Sequence, residues 1–260
     1  MAQHHKNMTR EEAYISMKGQ GTLDYELYIN TPKLLDCQKD YGQLCNNDEL
    51  QFQIVHQVEE LWMKLIAFTF LELEEHMQTK NTRKALTLFD RVHRLMELMI
   101  QQLELLETMS PKDYQTIRLQ LGNGSGQESP GFNTLLKLPH NIWNVFNNKY
   151  LLEENLTVEK IYDSEYSHCD AYMIAEAMIE FDELFLKFRY YHICLINRSI
   201  GISAKSLKGR SVDILHKGLS HQFYPALWKI RSDMTDTWGG EYGQVRDSIS
   251  KSQKEKPQHV

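Results

Sequence analysis

Residues 52–65, which read FQIVHQVEELWMKL, decide the fold of this chain because they repeat with the period of an α-helix. The positions that share the inner face of this predicted helix are Phe52, Val55, His56, Glu59, Trp62 and Met63. Phe52 and His56 lie one turn apart, so their side chains are neighbours. An aromatic ring beside an imidazole favours a flat aromatic ligand with one polar edge. A lone histidine on an apolar face is also typical of a hydrogen-bonded core residue.

The composition of the 260 residues is typical of a globular protein, with 42% hydrophobic and 25% charged residues. The net charge of -6 argues against a nucleic-acid partner, because nucleic-acid-binding surfaces are usually basic. The four cysteines form no CxxC pair, which favours reduced thiols over a disulfide framework. The N-terminus lacks the apolar run of a signal peptide, and no segment approaches the roughly 18 apolar residues of a membrane span. We therefore expect a cytoplasmic protein without a membrane partner.

Few glycines and prolines, and little strand-like alternation, predict an all-α fold: a single-domain helical bundle over residues 1–260. We expect a flexible N-terminal arm at 1–20 and a polar tail at 240–260. The first predicted helix is capped by Asp48 and ends at about His76, and the second starts at 81 or 82 and continues past 103. The third starts at 110, and the last two cover about 164–200 and 213–231. Residues 140–160 are predicted to form short helices with loops.

The segment before the first of these helices carries two tyrosines. Residues 24–30 are predicted to be extended, and Thr31 then caps a helix with Pro32 at its first position. Tyr25 and Tyr28 therefore have no helix of their own to be buried in. We expect them to pack on a neighbouring element or on another subunit.

Tyr114 and Arg118 form a second pair, because residues four apart share one face of a helix. An arginine on a mostly apolar face needs an anionic partner, since its guanidinium cannot lose its charge. Two interpretations remain open: a structural ion pair with a core carboxylate, or a fork that grips a substrate carboxylate.

Residues 122–131 form the Gly-rich loop of the chain. It is not a P-loop, because no Lys-Ser/Thr pair closes it, and no predicted strand precedes it. The loop could present backbone N–H groups and the hydroxyls of Ser125 and Ser129 to whatever Arg118 holds.

His192 is bracketed by Phe188, Tyr191 and Ile196 on the predicted long helix. Such an apolar setting favours the neutral imidazole. A neutral imidazole is a suitable axial ligand for a haem iron.

Four motifs in the same order resemble the tryptophan 2,3-dioxygenase family, over roughly residues 25–234. They are F-x-x-x-H-Q-x-E-E-L-W-x-K at 52–64, L-E-T-M-S-P-x-x-Y-x-x-x-R-x-x-L-G at 106–122, F-R-x-x-H at 188–192 followed by I-G at 200–201, and F-x-P-x-L-W-x-x-R at 223–231. The resemblance implies an all-helical fold that binds one haem b per subunit, usually as a homotetramer, with a dimer as the alternative.

The resemblance also implies a role for individual residues. His192 would be the axial ligand of the haem iron, and Ser125 would match a serine of the haem pocket. His56 would be the catalytic residue that hydrogen-bonds the indole N–H, and Phe52 would form the wall beside the indole.

The resemblance also assigns residues to the amino-acid end of the site. Arg118 would hold the amino-acid carboxylate, with Tyr114 shaping that end of the site. Tyr25 and Tyr28 would reach the site of a neighbouring subunit.

The reaction implied by the resemblance inserts both atoms of O2 into the C2–C3 bond of the indole of L-tryptophan, which gives N-formylkynurenine. In such an enzyme the cofactor supplies the reactivity, and the protein supplies orientation and a dry cavity.

Several positions depart from the family pattern around the amino-acid end of the site. The family usually carries Gly-Thr-Gly-Gly-Ser-Ser-Gly where residues 205–211 stand, and Ser206 falls at the position of the substrate-binding threonine. Leu103 stands where some members have Trp, Asn133 replaces a usual Arg, and Gln127-Glu128 alters the Gly-rich loop. These differences favour a second hypothesis, in which a divergent relative oxygenates a modified tryptophan or another aromatic substrate in a biosynthetic pathway, with insertion of a single oxygen atom as one variant.

Two further hypotheses keep the helical fold without the haem. A di-iron bundle would need two Glu-x-x-His pairs, for which Glu165-x-x-His168 and the imperfect Asp90-x-x-His93 are the candidates. The other hypothesis is a non-catalytic scaffold. The presence of Phe52, His56, Tyr114, Arg118 and His192 together argues against it, because packing alone could use Leu at most of these positions.

Overall fold

In the computed structural model, residues 8–163, 168–202, 205, 213–238 and 248 are described. The first helices are α1 (Arg10–Met17), α2 (Asp24–Ile29), α3 (Thr31–Leu34), α4 (Asp48–Gln78), α5 (Thr82–Leu106) and α6 (Pro111–Gln120). The others are α7 (Pro130–Leu135), α8 (Leu138–Phe146), α9 (Val158–Tyr162), α10 (Asp170–Ile200), α11 (Asp213–His216) and α12 (Pro225–Trp238). Short 3-10 turns cover Tyr41–Gln43, Gly126–Glu128 and Lys217–Ser220, and a π-helix covers Asn147–Leu152. The described ranges contain no strand, which confirms the all-α prediction.

Helices α4, α5 and α10 form the centre of the helical bundle, because α5 packs along both α4 and α10 and all three contribute buried apolar residues to one core. The predicted inner positions of α5 are all buried, namely Ala85, Leu88, Val92, Leu95, Met99 and Leu103. Phe70 of α4 and Phe181 of α10 meet edge to face, with ring centroids 4.8 Å apart. Aromatic pairs of this geometry add to the free energy of burial. No helix of the described ranges has both the length and the apolar character needed to cross a membrane.

Helix α4 begins where it was predicted, but a different residue caps it. The side-chain oxygen of Asn46 accepts hydrogen bonds from the backbone N–H groups of Asp48 and Glu49, at 3.0 and 3.1 Å. Asn46 thus satisfies two of the free N–H groups that every helix N-terminus carries.

The N-terminal segment contains more helix than was predicted. The expected arm at 1–20 includes α1, where Thr9 and Glu12 form a reciprocal capping box. The prediction that residues 24–30 are extended is wrong, because they contain α2. The carboxylate of Glu26 accepts from the backbone N–H groups of Gln20 and Thr22, at 2.9 and 3.0 Å, and so organises the turn that starts this helix.

The predicted final helix is divided. Helix α11 and a 3-10 turn precede α12, which begins at Pro225. The division lies at Phe223 and Tyr224, whose backbone N–H groups both donate to the buried carboxylate of Asp182 on α10. Since those N–H groups have a partner outside the helix, the helix can restart at this point.

Candidate active site

A cavity of about 530 Å³ opens between α4, α5, α6, α7 and α10. This volume is in the range of small-molecule and cofactor sites, about 300–1,000 Å³. Four of the predicted site residues line it together: Phe52 and His56 from α4, Tyr114 from α6 and His192 from α10. The chain thus brings side chains from three helices, 140 positions apart at the extremes, to one space.

The tautomer of His56 follows from its hydrogen bond. Nδ1 of His56 lies 2.7 Å from the backbone carbonyl oxygen of Phe52. Because a carbonyl can only accept, Nδ1 carries the proton and Nε2 keeps its lone pair. Burial lowers the pKa of His56, so that the neutral form is favoured. Nε2 is then available to accept a hydrogen bond from a ligand.

Two aromatic side chains extend from His56 along the cavity wall. The ring of Phe52 lies 4.1 Å from that of His56 between centroids, and 6.2 Å from that of Tyr114. Burial raises the pKa of Tyr114, so that it stays a neutral phenol. This part of the wall is therefore aromatic and uncharged, which suits an aromatic ligand.

His192 has the properties expected of a metal ligand. Burial and, to a smaller extent, the nearby His56 lower its pKa to about 4. Within the described part of the chain, neither ring nitrogen of His192 has a hydrogen-bond partner. The ring of Phe188 lies nearly parallel to it, at 10° and 6.4 Å between centroids. A neutral imidazole without a partner, on the wall of a cavity of cofactor size, fits an axial haem ligand.

Glu59 also lines the cavity, one turn along α4 from His56. Its side chain is only 8% exposed, and among the described residues Oε1 is a buried atom without a hydrogen-bond partner. Burial raises the pKa of this carboxyl to about 8, and the neighbouring Glu60 raises it in the same direction. The sequence placed Glu59 on the inner face of the helix, but no motif assigned it a role.

The raised pKa of Glu59 predicts how stability depends on pH. Between its ordinary value of 4.5 and about 8, the folded protein holds a proton that the unfolded chain has released. Raising the pH through this range should therefore destabilise the haem-free protein. Glu59→Gln has no proton to lose, so its advantage in free energy of unfolding over the wild type should grow by about 2–3 kcal/mol from pH 6 to pH 9.

Urea unfolding at the two pH values measures this difference, with Glu75→Gln on the exposed face of the same helix as the matched control. A gap between Glu59→Gln and the wild type that does not change with pH would contradict a raised pKa.

Glu60 fixes the Gly-rich loop to α4. Its carboxylate accepts hydrogen bonds from the Ser129 hydroxyl and from the backbone N–H of Gly131, the latter at 3.0 Å. A Cβ added at Gly131 would lie 2.7 Å from Glu60 Oε2 and 2.7 Å from Met63 Cβ, so the close approach of α7 to α4 needs glycine here. The Ser129 hydroxyl is therefore committed to Glu60 and does not point to a ligand of Arg118.

Arg189 is a charged residue of the cavity wall that sequence reasoning left without a role. Its guanidinium donates to the backbone carbonyl of Gly218 and lies over the rings of Phe132 and Phe185, at 5.6 and 4.9 Å from their centroids. Burial lowers the pKa of Arg189 from its ordinary value. These contacts tie α10 to the 3-10 turn at Lys217–Ser220 and close one side of the cavity.

Two other predicted site residues lie beside the cavity rather than on its wall. Arg118 donates to the backbone carbonyl of Lys205, at 2.5 Å, and is not among the lining residues. The Ser125 hydroxyl accepts from the N–H of Gln127 at 3.3 Å, and the adjacent Gly126 and Gln127 reach the cavity instead.

Three predicted residues cannot be placed on the cavity of this single chain. Tyr25 and Tyr28 lie on α2 and are 71% and 90% exposed. Ser206 lies outside the described residues. The proposed metal pair Glu165 and His168 is likewise only half described, and no cluster of three metal-ligating residues exists within the described ranges.

The chain is similar to curated tryptophan 2,3-dioxygenases over most of its length. It is 25% identical to the enzyme of Myxococcus xanthus (strain DK1622), over 83% of this chain and 91% of the relative. It is 25% identical to that of Serratia proteamaculans (strain 568), over 82% and 93%, and 26% identical to that of Saccharopolyspora erythraea, over the same shares. The family model for tryptophan 2,3-dioxygenase matches residues 9–150, more than half of the chain. The chain therefore belongs to the tryptophan 2,3-dioxygenase family and is an enzyme of this group of haem-dependent oxygenases.

Proposed function

We propose that this chain binds haem b and uses O2 to open the indole of L-tryptophan at C2–C3, which gives N-formylkynurenine. The observation that carries the proposal is the pair of neutral imidazoles, His56 from α4 and His192 from α10, on the wall of one cavity. Only one of the two has its Nδ1 occupied by a backbone carbonyl, so the two imidazoles are prepared for different tasks.

His192 would hold the iron, and the cavity next to it would hold the porphyrin. When bound, haem supplies the activation of dioxygen. Nε2 of His56 would accept a hydrogen bond from the indole N–H and so orient the ring, while Phe52 would pack beside the ring. The apolar lining excludes water, which strengthens both contacts.

Arg118 would bind the carboxylate of the substrate from beside the cavity. One of its five N–H donors is used by the Lys205 carbonyl, which leaves others free to bind an anion. We expect Arg118→Ala to weaken binding of L-tryptophan by about 10- to 100-fold, because a charge-assisted hydrogen bond contributes about 1.5–3 kcal/mol. Arg118→Lys keeps the charge without the fork and should lose less.

Tryptophan affinity, followed by the optical spectrum of the haem protein, measures this effect. Unchanged affinity together with a lower free energy of unfolding would show instead that Arg118 is structural, through its bond to residue 205.

The quaternary structure is part of the proposal. Tyr25 and Tyr28 expose large aromatic surfaces on α2, and we propose that they contact the active site of a neighbouring subunit in a homotetramer or dimer. The four cysteines are unpaired in the structure, which supports a reducing, cytoplasmic location. Light scattering of the purified protein measures the oligomeric state.

A second candidate function keeps the haem and changes the substrate. Leu103, Gln127 and Asn133, three positions that depart from the family pattern, line the cavity. Changes of the lining can shift discrimination between substrates by about 1–3 kcal/mol or more. These positions therefore support the second candidate function, in which the protein oxygenates a modified tryptophan or another aromatic substrate and inserts one or two oxygen atoms.

One experiment separates the two candidates. The ferrous haem protein is incubated with L-tryptophan under O2, and the product is identified by its absorbance and mass. N-formylkynurenine supports the first function. If tryptophan is recovered unchanged while the Soret band stays intact, the first function is contradicted and the second function remains.

A further inference from the structure

We infer that Glu59 is a specificity-determining residue of the cavity, whose carboxyl group hydrogen-bonds a hydroxyl substituent on the indole ring of the substrate. The inference rests on the proposed function and narrows its substrate class. A ring-hydroxylated L-tryptophan would be bound in preference to L-tryptophan itself.

The carboxyl of Glu59 has no partner of its own. It is more than nine-tenths buried, it lines the cavity, and within the described ranges its Oε1 has no hydrogen bond. The neighbouring Glu60 repels it and is itself bound to Ser129 and Gly131. The cation on the cavity wall, Arg189, is engaged with the Gly218 carbonyl and two phenyl rings.

An unpaired buried carboxyl group is costly, and buried polar groups in native proteins almost always have a partner. Because the chain supplies none in the described ranges, the ligand is the natural source. The buried environment favours the protonated acid, which can both donate and accept.

Unsubstituted indole cannot satisfy this group. Its one polar atom is the N–H, which the proposed function assigns to Nε2 of His56, one turn away on the same helix. A ring hydroxyl supplies a second polar atom, and like a carboxylic acid it is both donor and acceptor. A hydroxyl also brings no charge into the low-dielectric cavity, in contrast to an ammonium group.

Sites built to hydrogen-bond a substrate hydroxyl discriminate strongly against the analogue that lacks it, because the site's own polar group is then left unpaired. We therefore expect the haem-loaded wild type to bind at least one of the L-tryptophans hydroxylated at ring positions 4 to 7 about tenfold or more tightly than L-tryptophan. The test is an optical titration of the haem protein with each of these amino acids, so that the readout is binding and not turnover.

Two variants of Glu59 and one control complete the test. Glu59→Leu should remove the preference and bind L-tryptophan at least as well as the wild type. Glu59→Gln keeps a donor and an acceptor, so it should retain part of the preference. Glu75→Leu makes the same change on the exposed face of α4 and should retain all of it. Thermal unfolding of each variant verifies the fold.

Equal affinity of the wild type for L-tryptophan and all hydroxylated probes would overturn the inference. A preference that survives in Glu59→Leu would overturn it as well. Faster haem loss from Glu59→Leu with the preference unchanged would assign Glu59 to the cofactor and also overturn it. If no aromatic amino acid perturbs the haem spectrum, the proposed function fails together with the inference, whereas binding without discrimination defeats the inference alone.

Discussion

His192→Ala should give a folded protein that does not retain haem. His192 lines the cavity, is held neutral by burial and has no hydrogen-bond partner in the described part of the chain, so it is free to bind iron. Removing the ring would take away the proposed iron ligand but would leave the packed stripes of α4, α5 and α10 in place. We expect the Soret band, measured per protein after reconstitution and gel filtration, to fall at least tenfold.

A histidine of the core, His93, provides the control for this experiment. His93 of α5 is buried, but its Nε2 is bound to the Ala177 carbonyl at 2.9 Å, and it does not line the cavity. His93→Ala should therefore lower the free energy of unfolding and keep the Soret band. Added imidazole should restore a band to His192→Ala by occupying the vacated space. An undiminished Soret band in His192→Ala without imidazole would refute the assignment of the ligand.

The sequence predicted the central helices well because their signal is local. The inner stripe of α5 repeats at 3.6 residues, and every predicted position is buried. The start of α6 was predicted from Ser110 and Pro111, and Ser110 accepts from the N–H of Asp113 as a cap should. Periodicity and caps depend on residues within one turn, so one sequence suffices to find them.

The errors in the fold arose where a side chain captures backbone groups that lie outside any periodic pattern. Glu26 binds N–H groups up to six positions before it and turns an apparently extended segment into α2. The Thr9-x-x-Glu12 spacing of a capping box was present in the sequence and could have indicated α1. The break before α12 had no such signal, since it depends on Asp182, 41 positions away from Phe223.

The predictions for the site also succeeded where the signal is local and failed where it depends on distant residues. The pair Phe52 and His56 shares one face of α4, so helical spacing alone predicted that they are neighbours, and the structure places their rings 4.1 Å apart. That His192 lies in the same cavity was predicted from the resemblance, not from spacing. The roles of Glu60 in holding the Gly-rich loop, and of Glu59 as a partnerless acid, could not be predicted, because both depend on which residues α7 and α10 bring to α4.

Asp182→Ala should lower the free energy of unfolding by about 3–5 kcal/mol, because three donors would lose their acceptor and each buried unpaired donor costs about 1–3 kcal/mol. One carboxylate oxygen of Asp182 accepts three hydrogen bonds, from the backbone N–H groups of Phe223 and Tyr224 and from Nε1 of Trp228, at 2.9, 3.2 and 2.9 Å. Alanine would leave all three donors without this acceptor. The loss should exceed the net contribution of the intact contact, because the donors left behind have no acceptor. The intact contact itself contributes less than three hydrogen bonds would suggest, because the carboxylate is costly to bury and burial raises its pKa.

Asp182 also connects stability to the active site, which gives the experiment a second readout. It anchors the start of α12, which follows the turn whose Gly218 carbonyl accepts from Arg189 on the cavity wall. Urea unfolding should show the full loss for Asp182→Ala and a smaller one for Asp182→Asn, which keeps an oxygen acceptor without the charge. Haem should dissociate faster from Asp182→Ala than from the wild type, since that side of the cavity is no longer fixed. If the free energy of unfolding of Asp182→Ala lies within about 1 kcal/mol of the wild-type value, the three donors have found other partners and α12 is not held by this carboxylate.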